Sequence, residues 1–175
     1  SIGVKNKGRV IVDLSKVKFA SAAASVLFFA IVNRAQFLTR DPNFIRFKWP
    51  KKDDNPSGHR WIVGTGLARA LLAGTEEKLN ALTREERYFQ SAVEPYEHIV
   101  ETVLMLQKSA LLNNEQLGLL LTAISEALLN VSHHAYEDEG FESDIQLLKG
   151  KRWWQCAWFN RDENKVVFIV CDLGL

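Results

Sequence analysis

Between Leu117 and Ala135 the apolar residues Leu117, Leu121, Ile124, Leu128, Val131 and Ala135 recur at steps of three and four, the spacing of one helix face. A helix that long and that one-sided must lie on other structure. The opposite side carries Glu126, Asn130 and His134, four apart, a stripe that drifts only about 40° per step on a helix of 3.6 residues per turn. One helix thus offers a core face and a face bearing a carboxylate, an amide and an imidazole.

An amide oxygen is a hard ligand suited to Mg²⁺, which keeps water and phosphate in its remaining positions. A carboxylate one turn earlier can orient or deprotonate a water, and an imidazole one turn later can donate to phosphate. Spacing alone equally describes a solvated helix face. A second motif closes the sequence: Val166-Val167-Phe168-Ile169-Val170-Cys171-Asp172-Leu173-Gly174 reads as a buried strand that delivers Asp172 into a glycine turn. Such a carboxylate can accept from the amino group of a base, or simply end a strand.

These motifs, in this order, resemble the ATP-binding domain shared by gyrase-type ATPases, sensor histidine kinases and anti-sigma-factor serine kinases. Glu126, Asn130 and His134 look like its N box, and Asp172 and Gly174 like the opening of its first glycine box. The resemblance implies an Mg²⁺-ATP-binding regulatory protein in which Glu126 is the catalytic base, Asn130 the Mg²⁺ ligand, His134 a phosphate contact and Asp172 the adenine reader. Gly174 would keep the base pocket open. It covers residues 91–175 and is closest to the anti-sigma-kinase branch, with a helix from Glu94 to about Leu112, an Asn-Asn-Glu start to the next helix, and an aromatic hairpin. ATP hydrolysis or phosphoryl transfer would be coupled to a protein partner. The lid and the later glycine box would fall after residue 175, so a longer protein is expected, and nucleotide binding by these residues alone should be weak.

Earlier in the chain, Arg9 to Leu14 reads as a strand, Ser21 to about Leu38 as a helix, Asp41-Pro42-Asn43 as a break and Phe44 to Trp49 as a second strand. A charged loop to Gly58 leads to a helix near Thr65 to Ala73. This first unit resembles a STAS domain, with Val10 to Phe19 as its strand and exit loop. Where phosphorylated members carry Asp-Ser-Ser-Gly, this chain reads Ser21-Ala22-Ala23-Ala24, which puts alanine at the acceptor position and leaves Ser21 as a helix cap. The expected fold is therefore α/β: a STAS-like unit over 1–75, a linker or connecting helix over 76–90, and the first half of a histidine-kinase-like ATPase sandwich over 91–175.

A formal charge of +1 argues against nucleic acid or an acidic membrane as partner. The nearly uncharged stretch Phe19 to Val32 falls short of the roughly twenty residues a membrane span needs and reads as a buried element. Cys156 and Cys171 fall in apolar strands, for which a reduced, cytoplasmic setting is the simplest reading. Gly64-Thr65-Gly66 lacks the Lys-Ser/Thr of a phosphate loop, and His98 lacks the acidic-then-basic sequel of a phospho-accepting histidine. The hairpin Arg152 to Cys171 is apolar on both faces, so a cover is expected on each: two helices on one, and the first unit or a second copy, as in a homodimer, on the other. Without interleaved basic residues, its tryptophans read as packing rather than as a platform for bases. The rival to an ATP-using protein is a non-catalytic scaffold that docks a partner.

Overall fold

The β-branched run near the start pairs as the sequence implies. In a computed structural model that describes residues 9–82, 88–135 and 142–174, Val10–Asp13 forms β1 and Ile45–Lys48 forms β2, parallel to it from Val10↔Ile45 to Asp13↔Lys48. Between them runs α1, Ala22–Thr39, capped by the Ser21 side chain, which accepts the amide hydrogen of Ala24. A short α2 (Pro56–Gly58) and a π-helical turn, His59–Val63, lead to α3 (Leu67–Leu71), and α4 (Glu76–Ala81) fills the expected connector.

The second half is built on an antiparallel sheet ordered β3-β4-β5, with β3 at Tyr88–Ala92, β4 at Trp153–Asn160 and β5 at Lys165–Asp172. The hairpin with its four-residue turn stands as expected. β3 does not, and residues 88–90 belong to it rather than to a linker. Helix α5 (Ile99–Ala110) starts later than Glu94, because Pro95 and a left-handed His98 at φ 63° turn the chain first. Helix α6 (Asn114–His134) opens with a capping box in which Asn113 and Gln116 each accept the other's backbone amide. Helix α7 covers Glu142–Leu148.

Strand alternation assigns the covers of the sheet. Trp154 donates from its indole to Asn33 of α1 at 2.9 Å, whereas its neighbour Gln155 donates to Thr102 of α5 at 2.7 Å, so successive residues of β4 face α1 and α5 in turn. Phe89, paired with Cys156, follows the first set and meets Phe29 of α1 edge to face. The sheet therefore carries α1 on one face and α5, with α6 beside it, on the other. The first unit supplies the second cover.

By length and composition α1 could cross a membrane. In this fold it is a core helix: Val26, Phe29, Ala30 and Val32 are buried, and Asn33 and Gln36 reach the carbonyls of Ala73 and Leu71. One buried apolar cluster runs from Val26 through Leu79 and Leu106 to Trp154. At its edge Arg152 lies over the Phe37 ring and donates to Glu76, Ser91 and the Leu148 carbonyl, joining α4, β3 and α7.

Candidate functional site

The core face of α6 holds from its middle onward. Ile124, Leu128, Val131 and Ala135 are buried, but Leu117 is half-exposed and Leu121 exposed, because the first turns of the helix overhang the sheet. Opposite them, Glu126, Asn130 and His134 are all exposed along one stripe. Neither Glu126 nor Asn130 makes a side-chain hydrogen bond among the described residues, and both open straight to solvent. His134 stands edge-on to His133, ring centroids 6.2 Å apart. The Lys151 ammonium donates to the Ser132 carbonyl at 3.0 Å, and so anchors the helix end that carries His134.

Asp172 ends β5 half-buried, opposite Trp153. Directly paired residues share a face, and Trp153 alternates with Trp154 as Gln155 does, so Asp172 stands on the α5–α6 side of the sheet. Its carboxylate accepts from Gly174 at 3.1 Å, which folds Leu173 and Gly174 into a tight turn. Burial pushes its pKa above the usual carboxylate range, and the backbone hydrogen bond only partly opposes that. The neighbouring Cys171 faces α1 instead, its thiol pushed up to about 12 by burial and by the Asp172 charge. Neither Cys156 nor Cys171 is joined in a disulfide.

Helix α6 and Asp172 thus lie on one side of the sheet, α6 packing against β5 through its buried face, with the stripe on the helix face turned to solvent. No cluster of three or more His, Cys, Asp or Glu able to hold a metal occurs among the described residues, so a cation on Asn130 would need water and phosphate as its other ligands. Two cavities lie in the first half, and none of Glu126, Asn130, His134 or Asp172 lines them.

Two features escape sequence reasoning. Tyr88, Gln90, Gln155 and Thr102 form a buried polar layer on the α5 face of the sheet, in which Gln155 Oε1 lacks a protein hydrogen-bond partner among the described residues, and His98 stands beside Glu97 at the start of α5. Burial, then the Glu101 charge, raises the Tyr88 phenol above its ordinary range, while burial lowers His98 against the pull of Glu97 and Glu101. The second feature is a lysine-lined groove, because Lys16 and Lys18 meet Lys48 and Lys51 only once β1 and β2 pair. A net charge of +1 conceals that concentration.

Comparison with protein-family models, curated proteins and solved structures gave no match, so both family resemblances rest on the residues quoted for them.

Proposed function

We propose that the chain contributes to an Mg²⁺-ATP-binding regulatory protein that uses the exposed stripe of α6 and the carboxyl end of β5. The observation that carries this reading is that α6 and Asp172 lie on one side of the sheet: Asp172 is half-buried on the face against which α6 packs, and Glu126, Asn130 and His134 stand exposed on the outer face of that helix. Asn130 would hold Mg²⁺ and Asp172 the adenine amino group, while His134 would meet phosphate. Glu126 would align the attacking oxygen, of water or of a partner's hydroxyl.

Calorimetry of the full-length protein with ATP and Mg²⁺ tests it. Asn130→Ala should abolish Mg²⁺-dependent binding, and Glu126→Ala should preserve binding while removing turnover. Unchanged binding in the first variant overturns the metal role.

A second reading, a scaffold that docks a partner, is favoured by exposed Val100, Leu104 and Leu111 at α5 and Leu119 and Leu121 at the start of α6. Absence of any ATP heat in the full-length protein would select it.

A further inference from the structure

Ligands of open α/β sheets sit outside the carboxyl ends of parallel strands. In this chain that edge of the β1–β2 pair carries a groove of about 550 Å³, within the ordinary range of small-ligand sites, walled by Ser15, Lys16 and Lys18 on one exit loop and Lys48, Trp49 and Lys51 on the other. Asp54 is the one acidic residue lining it, against four lysines. Lys48 is paired with Asp13 at 3.2 Å, but Lys16, Lys18 and Lys51 have no carboxylate within 4.0 Å among the described residues. Lysines lining one groove repel one another, and a bound anion relieves that repulsion.

The groove is braced as well as charged. Asn55 donates to the Ser15 and Val17 carbonyls at 3.0 and 2.9 Å and accepts from Gly58 at 3.0 Å, so one amide ties the two exit loops together. Gly58 is required there, since a Cβ would stand 2.0 Å from the Val17 carbonyl oxygen. Ser15 donates from both hydroxyl and amide to Asp13, which holds that carboxylate down to about 2 and keeps it ionised beside Lys48. Trp49, stacked on Phe47 with centroids 4.8 Å apart, gives the groove a fixed wall.

We propose that this groove binds a small, multiply charged anion of the phosphate class, separately from the ATP reading of α6 and β5. Lysine supplies mobile point charges that suit phosphate oxygens from several directions. A polynucleotide is disfavoured because the site is a single concave groove on a chain of net charge +1, not an extended basic stripe.

The test is calorimetry with sodium pyrophosphate in EDTA at low salt, where an Mg²⁺-dependent site is silent. One site is expected, weakening with added salt, and Lys16→Gln combined with Lys51→Gln should raise the dissociation constant by about tenfold, a few-fold per exposed lysine. Both lysines are exposed, so the double variant should keep its thermal transition. Tryptophan fluorescence should respond to pyrophosphate and stop responding in Trp49→Phe. Asn130→Ala should bind pyrophosphate unchanged, which separates this site from the nucleotide reading. No heat at about 10 mM pyrophosphate, or binding indifferent to the double substitution, overturns the proposal. So does tighter binding to a single-stranded oligonucleotide than to pyrophosphate.

Discussion

Replacing Arg152 with methionine tests whether the two halves of the chain share one folding unit. The guanidinium side chain is 1% exposed, lies 4.7 Å from the Phe37 ring centroid, and donates to the Leu148 carbonyl at 3.1 Å, to Ser91 Oγ at 3.2 Å and to Glu76. Methionine keeps much of the volume against Phe37 but removes every donor. Breaking a buried ion pair by deleting one partner costs about 3–5 kcal/mol. The Glu76 side chain is 33% exposed and regains water, so the lower end applies, about 3 kcal/mol. For a chain of this size that corresponds to a fall in Tm of roughly 6–12 °C. Urea unfolding followed by circular dichroism and by tryptophan fluorescence measures it. Because Arg152 joins α1, α4, β3 and α7, both probes should shift together in one transition. A loss under about 1 kcal/mol, or two transitions of which only one moves, would refute the single-unit argument.

Asn33→Leu should cost about 2–3 kcal/mol in urea midpoints, since it strips a partner from the buried Trp154 indole and the Ala73 carbonyl together; a neutral result would mean that this seam does not hold the halves. Asp172 has a raised pKa, so its ionisation opposes folding: the stability it allows is complete below the unfolded value of about 3.9 and is lost as pH rises through the higher folded value. Asp172→Asn should remove that decline from urea midpoints taken between pH 4 and 7, and an unchanged slope would contradict the burial argument. Asp13 runs the other way, its contribution present above the unfolded value and lost as pH falls toward about 2. Carbon-detected NMR titration should place its midpoint there, and Ser15→Ala should move it up toward the ordinary value, because Ser15 is the largest cause of the depression.

Elements whose own residues carry the signal were legible in the sequence. The three-and-four apolar spacing gave α6, Ser21 capped α1, and the aromatic run with Arg161-Asp162-Glu163-Asn164 gave the β4–β5 hairpin. β3 was hidden because Gln90 and Ser91 interrupt its apolar run, and pairing with Gln155 and Trp154 makes it a strand. α5 began late for a local reason, the turn at Pro95 to His98. Periodicity also placed Leu121 in the core, although a helix can overhang its sheet without changing its pattern. The stripe of Glu126, Asn130 and His134 was readable as a face, because a four-residue spacing keeps to one side of any helix. The lysine groove could not be read at all, since its charges lie on two loops joined only by strand pairing.

The sheet also fixes how the two sites could influence each other. α1 covers the face of Trp154 and Cys171, while the stripe of α6 and Asp172 lie on the side of Gln155. Among the described residues, α1 therefore lies across the sheet from the helix that carries the stripe. Coupling would have to cross the strands, and Cys171 and Asp172 are where it would be shortest: neighbours on β5 facing α1 and the helix pair respectively. Any shift of α1 against β5 would reach the Asp172 turn through one peptide unit, whereas α6 would feel it only after β5 had moved. In such a layout, a shift of α1 would act first on Asp172 and second on Asn130.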